Sequence, residues 1–295
     1  MLFEQNSYSY KEILRCLFSL KWWRSRLEIF LSNFKYFYNF NLENKNFCFI
    51  VSTGRTGTTY LADHFNQYSN VLSLHEPYPH LLRLGDNVAK GLNSDDFILK
   101  KIQSSRKIIF RKYNLNTYSH YIEANNRLFS LLPFLTILYN NPNFIYVIRD
   151  PRNVVRSAMC RDHYKDNDRS PRIQAIDFPE DPFFHIWDEL DRFEKVCWWV
   201  FKENDIIYQS LKDYENKLIV KFEDLFDENF SGIKSIASFI GLNYQEKYIK
   251  IQKINENKSY DFPCYEEWTS RHKLIFNKFF EKCKIPELVS NYYTT

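Results

Sequence analysis

A short apolar run, Phe47-Cys-Phe-Ile-Val51, stops at Ser52-Thr-Gly-Arg-Thr-Gly-Thr-Thr59, and a helical pattern starts at Thr58 and continues to Gln67. That passage from strand through a tight turn into a helix constrains the fold more than any other segment. The 295-residue chain has only six glycines, and Gly54 and Gly57 are two of them. Glycines at such a turn let backbone N–H groups curl around an anion, and the helix start adds the positive end of its dipole. Thr56, Thr58 and Thr59 can add hydroxyl donors, and Arg55 supplies a fixed charge. The competing interpretation is a tight turn with a capped helix and no ligand.

The remaining pattern continues in the same style. Further short strand-type runs are Val71–Leu74, Lys107–Phe110, Phe144–Ile148 and Lys217–Phe222. Helical patterns fall at 127–140, 151–161, 183–213 and 231–240. Strands alternating with helices predict an α/β fold: a central, mostly parallel β-sheet with helices on both faces. Residues 162–182 break the rhythm with Asp, Arg, Asn and three prolines, and they read as a long polar loop of the kind that covers active sites. Residues 8–38 carry Leu, Phe, Tyr and Trp near helical spacing, and 1–45 is taken as an N-terminal helical extension to a domain spanning 46–295. Trp22, Trp23 and the neighbouring arginines leave open whether that extension packs on the domain or meets a membrane surface or partner.

An ordinary nucleoside-triphosphate loop needs G-x-x-x-x-G-K followed by Ser or Thr. Here Ser52 stands at the first Gly, Thr58 stands at the Lys, and the positive charge has moved into the turn at Arg55. A kinase or NTPase needs that Lys on the β- and γ-phosphates.

A second signature is Phe144-Ile-Tyr-Val-Ile-Arg-Asp-Pro-Arg-Asn-Val-Val-Arg-Ser157. A strand ends at Arg149, Pro151 suits a first helical turn, and Ser157 lies about two turns on. An arginine at such a strand end can donate two hydrogen bonds to one phosphate. Asp150 capping the helix and Arg149 in an ion pair would be the purely structural alternative.

Together the two segments resemble the sulfotransferases that use 3'-phosphoadenosine 5'-phosphosulfate (PAPS). The turn resembles that family's P-loop-like 5'-phosphosulfate loop, which runs Pro or Gly, Lys or Arg, a hydroxyl residue, Gly, and two more hydroxyl residues. The second segment matches the R-D-P-R-x-x-x-x-S of the 3'-phosphate site. Weaker echoes are Leu218-Ile-Val-Lys-Phe-Glu-Asp-Leu225, with Phe222 for the usual Tyr, then Phe239-Ile-Gly-Leu242, Trp268 and Asn291-Tyr-Tyr293, with Asn for Gly.

The resemblance implies a fold and a set of roles. The fold is the P-loop-like sulfotransferase domain, in a style similar to bacterial and carbohydrate members. Arg55, Thr56, Gly57, Thr58 and Thr59 would hold the 5' end of PAPS, and Arg149 and Ser157 the 3'-phosphate. Tyr60 would either stack on adenine or simply pack its helix. Arg55 would also stabilise charge on the leaving oxygen, a catalytic task. Glu76, in Leu72-Ser-Leu-His-Glu-Pro-Tyr-Pro-His80, matches an E-P pattern after the second strand and is the expected general base, with His75 and His80 as alternatives. The product would be adenosine 3',5'-bisphosphate, and the acceptor a hydroxyl of a carbohydrate, glycolipid or small metabolite. A P-loop kinase or NTPase, or a silent nucleotide-binding protein on the same fold, are the rival functions.

Composition narrows the partners. A net charge of +4 from 40 basic and 36 acidic residues suits an anionic ligand and is too mild for a nucleic-acid surface. The six cysteines are scattered, with no Cys-x-x-Cys pair and no His at metal spacing, so no metal and no disulfide framework are expected and a cytoplasmic location is the default. No run approaches the roughly 18 to 20 apolar residues of a membrane span. His163 and His185, in or beside the polar loop, are possible substrate contacts with surface placement the simpler expectation.

Overall fold

The computed structural model describes residues 42–166, 168, 170–248 and 261–282. The N-terminal helical pattern at 8–38 and the Asn291–Tyr293 landmark lie outside them.

Five strands form one sheet: β1 (Asn46–Val51), β2 (Val71–His75), β3 (His120–Ala124), β4 (Asn143–Ile148) and β5 (Lys217–Lys221). Every pairing is parallel and the order is β2-β3-β1-β4-β5. The helices are α1 (Thr58–Phe65), α2 (Leu82–Ala89), α3 (Asp95–Lys112), α4 (Leu132–Leu138), α5 (Pro151–Met159), α6 (Arg192–Leu211), α7 (Ser231–Phe239) and α8 (Ser270–Lys282).

Strand alternation sorts the core into two layers. Phe47, Phe49 and Val51 of β1 and Phe144, Tyr146 and Ile148 of β4 face one side, where they meet α3, α4, α5, α6 and α8. Cys48, Ile50, Ile145 and Val147 face the other, against α1 and α7. A parallel sheet covered on both faces needs strands that are apolar on both faces, which is the pattern of β1 and β4.

One strand assignment is overturned. Lys107–Phe110 is not a strand: it is the last part of α3. Ile98, Ile102 and Ile109 lie at helical spacing on the buried face, with Asp95 and Asp96 in the first turn and Arg111 and Lys112 in the last. That charge arrangement favours a helix, and the long amphipathic stripe outweighs a local run of β-branched residues. The missing strand is His120–Ala124, disguised by Glu123. That carboxylate is fully buried in a strand because Arg106 of α3, equally buried, ion-pairs with it. The 183–213 pattern also divides: a 3-10 segment covers 184–189, and α6 starts at Arg192 behind Asp191, whose side chain caps the Glu194 N–H. The polar stretch 162–182 is loop, with a single 3-10 turn at 175–177 among the described residues.

The strand order has a functional consequence. The chain leaves β1 toward β2 on one side and leaves β4 toward β5 on the other. The crevice between the loops after β1 and β4 is therefore a topological switch point, where open α/β sheets bind ligands.

Candidate active site

The turn after β1 is built around a buried hydroxyl. Ser52 Oγ accepts from the Gly54 N–H at 3.0 Å and from the Thr56 hydroxyl at 2.7 Å. Gly54, Arg55 and Gly57 all have positive φ, at 83°, 60° and 75°. Turns that contain left-handed residues can gather successive N–H groups into a concave arrangement that receives anions. Gly57 also starts α1 with no side-chain cap, so the first N–H groups of the helix are not taken by a neighbouring side chain. At Gly57 a Cβ would stand 3.3 Å from the Phe222 ring, tighter than ordinary contact, and the φ of 75° would strain any side chain there.

The second segment reaches directly into this turn. Arg55 Nε–H donates to Ser157 Oγ at 3.0 Å, and Arg149 Nη1–H donates to the Arg55 carbonyl at 2.6 Å. The Arg149 guanidinium lies over the Phe222 ring, 4.2 Å from its centroid. Behind them Asp150 caps α5 by accepting from the Arg152 N–H at 2.8 Å, and it ion-pairs with the Arg152 side chain at 2.6 Å. Arg55, Arg149 and Ser157 thus share one site although the sequence separates them widely.

The end of β2 adds a third wall. Glu76 continues the sheet by one bond, its N–H donating to the Ala124 carbonyl at 3.1 Å. His75 Nε2 lies 3.2 Å from the hydroxyls of both Thr58 and Thr59 at the start of α1. Glu76 is half-buried, with φ 40°. Left-handed backbone is costly for a residue other than Gly and concentrates at working sites. Arg55 and Glu76, the two residues expected to act in chemistry, both adopt it. His80 is exposed further along, its ring edge-on to Tyr78.

Two expected donor residues have other surroundings. Tyr60 is only 4% exposed, with its ring in the core 4.9 Å from Phe226. The Thr56 hydroxyl points into the turn at Ser52, so its contribution to a ligand would come through the backbone. Conversely, three participants carried no signal of their own. Ser52 stood out only as a missing glycine, Phe222 only as a landmark substitution, and Asn126, whose side chain abuts Gly54, not at all.

A polar cluster lies under the 162–182 loop. Asp86 of α2 and Glu203 of α6 are buried, and burial pushes their carboxyls up to about 7 and about 8, although Arg127 and Arg172 pull the other way. His163 is driven down to about 3 by burial and by Arg172, and its ring meets Trp199 edge-on. It is therefore a neutral packing residue at physiological pH, whereas His185 is exposed. Tyr164, Arg172, Trp187 and Lys195 line a cavity of about 210 Å³ in the same loop region. Among the described residues no helix is long and apolar enough to cross a membrane, and no three His, Cys, Asp or Glu side chains converge as metal ligands.

Residues 45–288 match the sequence profile of the sulfotransferase domain. No curated protein matches the chain. In fold it is similar to sulfotransferase STF1 from Mycobacterium tuberculosis, with 13% identity, TM-score 0.54, and coverage of 86% of this chain and 82% of that one. It also matches mouse sulfotransferase SULT7A1, solved with PAP, at 14% identity, TM-score 0.49, and coverage of 83% and 87%. The family match covers most of the chain and includes both signature segments, so the chain belongs to the sulfotransferase domain family and is a PAPS-dependent sulfotransferase.

Proposed function

We propose that the crevice between the β1 and β4 loops holds PAPS and transfers its sulfuryl group to a hydroxyl of a carbohydrate, glycolipid or small metabolite. The observation that carries this reading is the linkage of the two half-sites, Arg55 to Ser157 and Arg149 to Arg55. In this arrangement the turn N–H groups and the Thr58 and Thr59 hydroxyls bind the donor's 5'-phosphate. Arg149 and Ser157 bind its 3'-phosphate. The contacts Arg55 now makes with Ser157 would be exchanged for donor oxygens.

Negative charge grows on the bridging oxygen as the S–O bond breaks, and the Arg55 guanidinium is the cation aimed there. Adenosine 3',5'-bisphosphate leaves, and the acceptor oxygen gains the sulfuryl group. The acceptor must give up its hydroxyl proton. Glu76 takes that proton, since it projects from the same end of the sheet and its neighbour His75 is engaged with the α1 threonines. Preference for a carbohydrate or similar polyol follows from the Glu76-Pro77 pattern shared with carbohydrate-acting members.

Calorimetric titration with adenosine 3',5'-bisphosphate, beside ATP with Mg²⁺, tests the donor site. Binding of the bisphosphate with little response to ATP is the expected result. A preference for ATP would remove the assignment. Screening then starts with saccharide acceptors, and transfer confined to phenols would overturn the preference for carbohydrates and polyols.

A further inference from the structure

One imidazole nitrogen serves two hydroxyls at the entrance of the phosphate turn. Thr58 and Thr59 open α1, and both Oγ1 atoms lie 3.2 Å from His75 Nε2. The position of the ring is set by the sheet. His75 pairs with Ala124 in the β2–β3 register, and the following N–H of Glu76 bonds the Ala124 carbonyl at 3.1 Å. The imidazole is thereby delivered to the helix start by a strand end that has little freedom to move.

The direction of those bonds decides what the threonines can do. Each hydroxyl has a single proton and two acceptor lone pairs. If Nε2 were the bare nitrogen, the hydroxyl protons would be drawn toward the ring, and lone pairs would face an incoming anion. If Nε2 carries the proton, it donates to the two oxygens as a shared, three-centre bond. Both hydroxyl protons are then left to point at the anion, beside the N–H groups of the uncapped helix start.

We propose that His75 is a positioning residue for the donor's 5'-phosphate: protonated at Nε2, it donates to Thr58 and Thr59 so that their hydroxyls donate onward to that phosphate. This inference rests on the donor assignment above. It removes His75 as the general base through Nε2, because a nitrogen donating to the turn cannot also accept the acceptor's proton.

The test compares two ligands that differ only at the 5' end, adenosine 3',5'-bisphosphate and adenosine 3'-monophosphate, by calorimetry on the full chain. The His75→Leu variant should weaken the bisphosphate about three- to tenfold, the worth of one hydrogen bond, while the monophosphate changes by less than about twofold. His75→Gln, whose amide can donate from a similar position, should recover most of the loss. In a Thr58→Val, Thr59→Val background the His75→Leu change should have no further effect, because the residue acts through those hydroxyls. Equal losses for both ligands would show a general disturbance of the fold and overturn the proposal. So would bisphosphate binding that His75→Leu leaves untouched. Failure of the unsubstituted protein to bind the bisphosphate is a separate result, and it would sink the donor assignment itself.

Discussion

Arg149 holds Arg55 by its main chain: the Nη1–H of the residue that follows β4 donates at 2.6 Å to the carbonyl in the middle of the β1 turn. The same guanidinium rests on Phe222, whose own N–H bonds the Ile148 carbonyl at 2.7 Å. Phe222 also packs where Gly57 has no side chain. Three consecutive strands in the sheet order, β1, β4 and β5, are thus drawn to one point by one arginine.

Arg149→Ala removes the charged donor proposed for the 3'-phosphate and also the bond that holds the Arg55 carbonyl. A hydrogen bond to a charged group is worth about 1.5–3 kcal/mol, so bisphosphate affinity should fall by about 10- to 150-fold. Ser157→Ala removes a neutral hydroxyl and should cost about three- to tenfold. Calorimetric dissociation constants check both. Affinity that survives Arg149→Ala would mean that the arginine only pins the turn.

Glu76 makes a prediction about stability as well as rate. Glu76→Gln should leave bisphosphate binding intact and lower turnover by about 10² to 10⁴, the usual contribution of a general base. Glu76→Gly removes the proposed base and also relieves the φ of 40°. Left-handed strain is of order 1–3 kcal/mol, so this inactive variant should melt at the parent temperature or above it. A glycine variant that is clearly less stable would show that the carboxylate is a structural anchor and that its backbone stores no strain for function.

The proposed donor site was legible as two segments because each is carried by a local motif. A strand, a turn and a helix start place Ser52 to Thr59 as one piece, and β4 and α5 do the same for Arg149 to Ser157. What joined them, the switch between β1 and β4, is a property of strand order and is visible only in the sheet. The failures share a physical cause. Lys107–Phe110 looked like a strand because four residues cannot reveal the eighteen-residue stripe to which they belong. His120–Ala124 was passed over because a buried glutamate is tolerable only once Arg106, seventeen positions away, arrives beside it. The packing of Tyr60 was equally out of reach, since its ring meets Phe226, more than 160 residues later in the chain.

That Arg106–Glu123 pair is a prediction in its own right. Both side chains are fully buried. Glu123 also accepts from the Tyr121 hydroxyl at 2.7 Å and from the Asn125 amide at 2.8 Å, and Arg106 donates to the Pro79 carbonyl at 3.2 Å. The network therefore ties the segment after Glu76 to the end of β3. Removing one charge leaves the other buried without its partner, which costs about 3–5 kcal/mol. Arg106→Met should lower the urea midpoint by a corresponding amount, and Arg106→Met with Glu123→Gln should recover part of it. A double variant whose loss equals the sum of the two single losses would show that the two residues are not coupled.

The buried groups under the polar loop give a pH signature with opposite signs. Glu203 and Asp86 have carboxyls pushed up to about 8 and about 7 by burial, so the folded chain binds protons that the unfolded chain has already released. Their contribution to stability is complete below the ordinary carboxylate range and is lost as pH rises through 7 to 8. His163 runs the other way: burial lowers it to about 3, so the unfolded chain takes up a proton first and stability falls as pH drops below about 6.5. Gln at 203 cannot ionise and keeps a polar side chain of similar size facing Arg127 and Arg172. The melting temperature of Glu203→Gln, relative to the parent, should therefore rise between pH 5 and pH 9. Replacing His163 with Phe, which keeps the ring edge near Trp199, should bring its advantage at pH 4 to 5 and none at pH 8. Thermal denaturation of both variants across this range distinguishes the two contributions. A Glu203→Gln curve parallel to the parent's would show that Arg127 and Arg172 hold the carboxylate charged in spite of its burial.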